Sequence, residues 1–235
     1  MTKRKETPSV AAALSAAPAG PVTEAEFHVW EQAGSDPAVM DQWLRFWTPH
    51  LQGARRILDV ACGEGDFLGA LLRAGYEAEG VDLTPTLVER ARAKGRSVHE
   101  EDAVAFVERE GGRYDTFFVL DFIEHLPFSV ATRLLSALPS GARVIIVTPN
   151  TNSVIGHQFF LQVPSHAAPY SPFVLRRMLE RGGFDTLTEG TLYGGLPWTG
   201  LRRRITEWFL VRLLGTTTAQ LLIEGANFYV VARKR

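Results

Sequence analysis

The sequence predicts an α/β protein built on a doubly wound, mostly parallel sheet. Between Arg56 and Val147, short apolar stretches alternate with amphipathic stretches of helical period, which gives five βα units in succession. Glycine or proline stands at many of the junctions, where a helix or a turn must end. The chain has 235 residues, of which 46% are hydrophobic, so it can bury the core that such a sheet needs.

Each strand of the alternating region is a short apolar run bounded by turn-forming or polar residues. The predicted strands are Ile57 to Ala61, Glu77 to Val81, Ser97 to Glu100, Tyr114 to Leu120 and Ala142 to Val147. The predicted helices between them are Phe67 to Ala74, Pro85 to Lys94, Val104 to Glu110 and Ser129 to Leu138. Parallel strands joined by helices place their carboxyl ends at one edge of the sheet, where ligands of open α/β sheets bind.

The residues before this region divide into a leader and the start of the folded domain. Residues 1–22 are rich in alanine, proline and serine, and we expect a mobile leader there. Residues 23–235 form the single predicted domain. It opens with two predicted helices, Thr23 to Gln32 and Pro37 to Leu51.

After the fifth strand the alternation weakens. We expect a long loop from Asn150 to Tyr170, followed by a helix that begins at Ser171-Pro172 and is closed by Gly182-Gly183. The last two predicted strands are Phe184 to Leu192 and Asn227 to Ala232.

The segment 194–224 lies between these two strands and is long for a connection, which predicts a helical insertion. Leu201, Ile205 and Trp208 share one helical face, and Arg202 to Arg204 surround it. Such a basic amphipathic helix serves as a lid over a pocket or as a homodimer face, or it places residues 201–214 on a membrane surface. The sequence leaves these alternatives, and a plain extension of the core, open.

Charge and cysteine content exclude several classes of protein. Lysine and arginine total 25 against 26 aspartates and glutamates, so the net charge of -1 gives no strong footprint for nucleic acid. The single cysteine, Cys62, excludes an internal disulfide and a thiolate metal cluster, and we expect it to act as a small hydrophobic residue in a cytoplasmic protein. No apolar run approaches the roughly 20 residues of a membrane span.

The residues after the first strand form a glycine loop with acidic flanks. Gly63 and Gly65 allow a sharp turn and a close approach to a ligand, and Asp82 ends the second strand, where a carboxylate can accept both hydroxyls of a ribose. A nicotinamide-binding fingerprint would need its third glycine at Leu68, but Gly69 comes one residue late. This departure disfavours a nicotinamide-dependent oxidoreductase.

The charge around the loop points to a cationic ligand. Asp59, Glu64 and Asp66 are unfavourable beside an anionic pyrophosphate and favourable beside an ammonium group. S-adenosylmethionine is a ligand of that kind.

The stretch from about Arg56 to Phe184 and the last strand resemble the class I S-adenosylmethionine-dependent methyltransferases, in particular the ubiquinone-biosynthesis O-methyltransferase-like group. Ile57 to Gly65 looks like the first motif of that family, with Ala61 where glycine is usual. The resemblance implies a seven-stranded sheet whose last strand is antiparallel. The residues that it assigns to the cofactor are Asp59, Ala61, Gly63 and Gly65 in the loop, Asp82 at the ribose, Leu83 beside the adenine, Asp102 and Ala103 at the adenine amino group, and Leu120. Two of these acids have simpler alternatives, since Asp82 could cap a helix with Thr84 and Asp102 could be an ordinary N-cap.

The fourth strand leads into the segment that we expect to carry the chemistry. An alcohol or phenol acceptor must lose a proton before it attacks the methyl group, and His125 is the candidate general base beside Glu124. The alternative is that His125 packs under the cofactor while Glu124 pairs locally.

A second hypothesis for the same segment is a divalent metal, Mg or Zn. Asp121, Glu124 and His125 fall within one turn, and His166 lies in the loop after the fifth strand, at the same edge of the sheet. The spacing resembles that of metal-using ubiquinone-biosynthesis and small-RNA methyltransferases, which usually carry glutamate where this chain has Asp121. His166 as a simple substrate contact is the alternative.

These observations predict methyl transfer from S-adenosylmethionine to a hydroxyl oxygen of a small-molecule, sugar or lipid-linked acceptor. We expect His157, Gln158 and the pair Phe159-Phe160 either to line the acceptor pocket or to fill the core beneath it. A nitrogen or carbon acceptor, and a non-catalytic S-adenosylmethionine-binding protein, are the alternatives.

Overall fold

The computed structural model describes residues 36–192, Arg212 and residues 225–235. The predicted leader 1–22, the predicted helix Thr23 to Gln32 and, apart from Arg212, the predicted insertion 194–224 lie outside the described residues. The lid, homodimer and membrane-surface hypotheses for the insertion therefore stay predictions.

The described strands form one mixed sheet of seven. They are β1 (Arg56–Val60), β2 (Glu77–Asp82), β3 (Val98–Glu100), β4 (Thr116–Leu120), β5 (Arg143–Pro149), β6 (Phe184–Leu192) and β7 (Asn227–Lys234). Their order is β3-β2-β1-β4-β5-β7-β6. The first five are parallel, and β7 is antiparallel to both β5 and β6. The predicted doubly wound, mostly parallel sheet with an antiparallel last strand is confirmed.

Helices cover both faces of this sheet. They are α1 (Pro37–Trp47), α2 (Asp66–Arg73), α3 (Pro85–Ala93), α4 (Ala103–Glu110), α5 (Phe128–Ala137), α6 (Val154–Gln162) and α7 (Pro172–Arg181), with 3₁₀ turns at Thr48–His50, Gly111–Arg113 and Ile123–His125. One buried cluster contains side chains of α1, α2 and α3, and the other contains side chains of α4, α5 and α7. The two helical layers therefore enclose the sheet.

Neighbouring strand residues alternate between these two clusters. In β4, Phe117 belongs to the α4–α5–α7 side and Phe118 to the opposite side, and both are 0% exposed. Val144 and Ile145 of β5 divide in the same way. Because successive side chains of a strand point to opposite faces, a sheet covered on both faces needs such continuous apolar runs.

The prediction of a continuous loop from Asn150 to Tyr170 is wrong, because α6 lies within it. Ser153 caps this helix by accepting a hydrogen bond of 2.9 Å from the nitrogen of Gly156. The apolar residues of α6 stand in two runs rather than at helical spacing, and Val154, Phe159 and Leu161 are exposed, so no apolar face marks this helix in the sequence. Tertiary packing fixes it instead, since a Cβ at Gly156 would stand 2.3 Å from the carbonyl oxygen of Asn150.

The helix after this segment agrees with the prediction. Ser171 is the N-cap of α7 and accepts a hydrogen bond of 3.3 Å from the nitrogen of Val174, with Pro172 in the first turn. Within the described part of the chain, no helix has both the length and the apolar character that a membrane crossing requires.

Candidate active site

The carboxyl ends of β1, β2, β4 and β5 meet at one edge of the sheet because these strands are parallel. The ends of these strands and the segments that follow them carry most of the predicted site residues, while Asp102 and Ala103 follow β3. The antiparallel β7 begins at the same edge, where Asn227 pairs with Pro149.

The loop between β1 and α2 is a tight turn held by the end of β2. Ala61, Gly63 and Gly65 all have left-handed backbones, with φ of 56°, 55° and 71°. The nitrogen of Gly63 donates a hydrogen bond of 2.8 Å to Oδ2 of Asp82. Oδ1 of Asp82 accepts a hydrogen bond of 2.9 Å from the nitrogen of Thr84, so the local contact considered from the sequence is also present.

Two ionisable groups lie beneath this loop. Asp59 is 3% exposed, and its burial, together with the carboxyl group of Asp82, raises the pKa of Asp59 to about 7. Burial also raises the pKa of the Cys62 thiol, and both carboxyl groups add to that shift. A Cβ at position 80 would stand 2.5 Å from the sulfur of Cys62, so the glycine at this position makes room for the thiol. Cys62 is therefore a packed, protonated thiol rather than a nucleophile.

The other two acids of the loop have cationic partners, which the sequence did not reveal. Glu64 is hydrogen-bonded to Arg90 at 2.7 Å and to Lys94 at 2.8 Å, and these contacts lower its pKa. Asp66 lies 3.2 Å from Lys94 and 2.9 Å from Arg96. Asp59 and Asp82 are thus the acids beside the loop that, among the described residues, form no ion pair with a lysine or arginine.

The residues assigned to the adenine lie further along the same edge. Asp102 is exposed and caps α4 by accepting a hydrogen bond of 2.9 Å from the nitrogen of Ala105, while Ala103 behind it is buried. Leu83 is 63% exposed, which is unusual for a large apolar side chain. Leu120 is half-buried at the end of β4.

A second group of functional side chains gathers beyond the end of β4. Ligand atoms of Glu124, His125 and His166 all lie within 4.8 Å of one another. The carbonyl oxygen of Glu124 accepts hydrogen bonds from the nitrogens of Ala167 and Ala168, at 2.8 and 3.1 Å. These bonds join the segment that carries His166 to the 3₁₀ turn.

Hydrogen bonds orient the side chains of this group. Nδ1 of His166 lies 2.8 Å from the carbonyl oxygen of Phe160. Because a carbonyl oxygen only accepts, Nδ1 carries the proton, and Nε2, which lies 4.0 Å from Oε1 of Glu124, keeps its lone pair. Glu124 is 1% exposed and accepts a hydrogen bond of 3.0 Å from Oγ1 of Thr148.

Burial also sets the protonation of this group. It raises the pKa of Glu124 well above its usual value, and the nearby carboxyl group of Asp121 contributes to the shift. It lowers the pKa of both His125 and His166, and the neighbouring imidazole lowers that of His125 further. The two rings meet nearly edge to face, with centroids 4.7 Å apart. Both imidazoles are therefore neutral near pH 7.

Asp121 is placed differently from the three clustered residues. Its backbone is left-handed, with φ of 47°, and its Oδ1 accepts a hydrogen bond of 3.1 Å from Nδ2 of Asn227. The cluster of ligand atoms does not include it.

The predicted pocket residues of α6 divide between the site and the surface. Phe160 stacks on His166 with ring centroids 5.1 Å apart, whereas His157, Gln158 and Phe159 are exposed.

This strand order, with an antiparallel seventh strand and a glycine loop facing an acid at the end of β2, defines the class I S-adenosylmethionine-dependent methyltransferase fold. A family model described as methyltransferase domain matches residues 29–189, and the chain belongs to that family.

Curated relatives include proteins named ubiquinone biosynthesis O-methyltransferase. The protein from Bordetella avium is 30% identical over an alignment of 148 residues, gaps included, which covers 57% of this chain and 61% of the relative. The chain thus matches less than two thirds of that relative's length. The protein from Nitrosococcus oceani is 30% identical over an alignment of 179 residues, gaps included, which covers 66% of this chain and 76% of the relative.

Solved structures share the fold at lower identity. A SAM-dependent methyltransferase from Archaeoglobus fulgidus aligns with a TM-score of 0.71 and 23% identity, over 88% of this chain and 99% of that one. Magnesium protoporphyrin IX methyltransferase from Synechocystis PCC 6803 with bound SAM aligns with a TM-score of 0.55 and 18% identity, over 93% of this chain and 87% of that one.

Proposed function

We propose that this protein transfers the methyl group of S-adenosylmethionine to a hydroxyl oxygen of a small-molecule, sugar or lipid-linked acceptor. The observation that carries the proposal is the neutral His125 beside Glu124 and His166, at the same sheet edge as the glycine loop and Asp82. The relatives named ubiquinone biosynthesis O-methyltransferase support a hydroxyl acceptor.

The loop and the edge beside it suit the cofactor. Asp82 offers two carboxylate oxygens, each of which already accepts one backbone hydrogen bond and keeps capacity for a ribose hydroxyl. The exposed Leu83 offers an apolar surface to the adenine, beside Asp102. The carboxylate of Asp82 favours a sulfonium cation over its neutral thioether product, and Asp59, whose pKa is raised to about 7, adds to this only in the fraction that has lost its proton.

The reaction is an in-line displacement at the methyl carbon. A lone pair of the acceptor oxygen forms the new C–O bond while the C–S bond breaks, and its electron pair stays on sulfur to give S-adenosylhomocysteine. The hydroxyl proton moves to a ring nitrogen of His125, whose lowered pKa leaves it unprotonated and able to accept near pH 7. The contacts of Glu124 with Thr148 and of His166 with Phe160 hold the residues around His125 in place.

The same three side chains also fit a divalent metal, which is the second candidate for this group. Two imidazoles and one carboxylate would hold the ion, and the hydrogen bond from Nδ1 of His166 to a backbone carbonyl is the outer contact typical of a metal-binding histidine. This donor set matches zinc better than magnesium, which prefers oxygen ligands. When bound, such an ion would lower the pKa of the acceptor hydroxyl.

The first test is a calorimetric titration of S-adenosylhomocysteine and, separately, of NADH into the purified chain, with and without Zn²⁺ or Mg²⁺. The proposal expects the thioether to bind and NADH not to bind. Binding of NADH alone would instead support an oxidoreductase. A metal-dependent heat that disappears in His166→Ala would support the second candidate for the clustered side chains.

The second test is methyl transfer from radiolabelled S-adenosylmethionine to a panel of catechols, sugars and amines. We expect label on a hydroxyl, and His125→Ala should lower the rate by about 10²- to 10⁴-fold while S-adenosylhomocysteine binds as before. An unchanged rate in this variant would exclude His125 as the base. Binding of the cofactor without turnover on any compound would favour the non-catalytic alternative.

A further inference from the structure

Arg96 connects the corner between α3 and β3 to the glycine loop. Its side chain is 12% exposed, so it is largely buried. Nη1 donates to the backbone carbonyl oxygen of Glu64 and, at 2.9 Å, to Oδ1 of Asp66. One guanidinium group therefore holds both the backbone of the loop and the first residue of α2.

Two glycines make room for this side chain. A Cβ at Gly69 would stand 2.9 Å from Nη2 and 3.0 Å from Nε of Arg96. A Cβ at Gly65 would stand 3.0 Å from Cδ. The glycine that comes one residue late for a nicotinamide fingerprint thus has a physical role, because it lets the guanidinium lie against α2.

The loop needs such support because three of its residues have left-handed backbones, including the non-glycine Ala61. A loop of this kind, if not held, samples other conformations, and a ligand must then order it at a cost in affinity. Lys94 also reaches the loop, but its contacts are to the side chains of Glu64 and Asp66, whereas Arg96 donates to the loop backbone at the carbonyl oxygen of Glu64.

We propose that Arg96 is a positioning residue that holds the glycine loop in its cofactor-binding conformation before the cofactor arrives. The inference rests on the proposed function, because it assumes that S-adenosylmethionine binds at this loop. Arg96 acts through the loop and contributes to affinity, and it does not take part in the transfer step.

The test compares Arg96→Met with the matched control Arg92→Met. Arg92 extends from the same corner, and its Nε and Nη2 donate to the carbonyl oxygen of Val98 at 3.1 and 2.9 Å, so the control removes a similar contact away from the loop. Calorimetry should show S-adenosylhomocysteine binding about tenfold weaker in Arg96→Met, which corresponds to about 1.4 kcal/mol, and unchanged within twofold in the control. Arg96→Lys should recover little of the loss.

Amide hydrogen exchange of the free protein provides a readout that does not depend on the cofactor. Peptides covering residues 61–66 should exchange faster in Arg96→Met than in the wild type or in Arg92→Met. If the wild type fails to bind S-adenosylhomocysteine, the proposed function is wrong, while this exchange still decides whether Arg96 orders the loop.

Gly69→Ala is a second variant, useful if Arg96→Met does not fold. Alanine favours the helix, yet its Cβ displaces the guanidinium, so S-adenosylhomocysteine should bind more weakly although the helix itself gains stability. Wild-type affinity and wild-type loop exchange in both variants would overturn the proposal. Equal losses of affinity in Arg96→Met and Arg92→Met would overturn it too, because they would indicate general destabilisation.

Discussion

The backbone nitrogen of Gly63 donates a hydrogen bond of 2.8 Å to Oδ2 of Asp82, which joins the loop after the first strand to the end of the second. The other carboxylate oxygen accepts a hydrogen bond from the nitrogen of Thr84 at the start of α3. One carboxylate therefore fixes two turns of the sheet edge, and it does so before any ligand binds.

Asp82→Asn should weaken both the fold and the site. An amide places an NH₂ group against one of the two backbone donors, so one hydrogen bond is lost, at a cost of about 1–3 kcal/mol in the free energy of unfolding. Binding of S-adenosylhomocysteine should weaken as well. The control is Asp102→Asn, because asparagine also caps helices and, within the described ranges, this carboxylate accepts a backbone hydrogen bond from Ala105 alone. Urea titrations that give equal stabilities for the two variants would contradict this account.

Ala61→Gly should stabilise the protein. A left-handed backbone costs an L-residue about 1–2 kcal/mol, and removal of the Cβ relieves more of that strain than the added chain entropy takes away. We expect a gain of about 0.5–1 kcal/mol in thermal or urea unfolding. Gly63→Ala is the matched reverse, since its φ is 55° and, apart from the neighbours of Gly63 in the chain, no described residue comes within 4 Å of the added Cβ. It should lose stability from strain alone.

Gly80→Ala should destabilise the sheet where β2 passes the loop. The new Cβ would stand 2.5 Å from the sulfur of Cys62, so packing must shift, at a cost of about 1–3 kcal/mol. Cys62→Ala in the same chain should recover part of the loss, because the sulfur is then absent. A double-mutant cycle with urea unfolding measures this coupling. Additive effects of the two substitutions would show that Cys62 does not account for the cost.

Stability should depend on the protonation of Asp59. Its pKa of about 7 in the folded protein lies above its usual value of 3.8, so the native state holds a proton that the unfolded state releases between about pH 4 and 7. The contribution of Asp59 to the free energy of unfolding should therefore fall as the pH rises through this window and level off above it, at about 1.4 kcal/mol per pH unit at most. In Asp59→Asn this part of the pH dependence should disappear.

Glu64→Gln is the control for this pH dependence. The pKa of Glu64 is lowered by Lys94 and Arg90, so its contribution to stability is present above its usual pKa and is lost only as the pH falls below that value. Urea titrations from pH 4 to 8 should therefore show the wild-type slope above about pH 5 in this variant. The same slope in Asp59→Asn would mean that another group holds the proton.

Much of the fold was predictable from local patterns. The strand and helix alternation from β1 to β5, the cap at Ser171 and the strand Phe184–Leu192 all agree with the structure, because apolar periodicity and capping depend on neighbours in the chain. The prediction of a loop around α6 was wrong because no local pattern marks that helix. That helix is fixed by close packing at Gly156 rather than by an amphipathic pattern.

The sequence alone determined the class of fold, the glycine loop and the acid that faces it, since these follow from residues close together along the chain. Only the tertiary structure decided which acids of the loop have cationic partners, that Arg96 holds the loop through Glu64 and Asp66, and that Glu124, His125 and His166 meet while Asp121 pairs with Asn227. The physical reason is separation along the chain: Arg96 and Asp66 are 30 positions apart, and Asp121 and Asn227 are 106 positions apart. Contacts over such separations form only when the packed core brings the segments together.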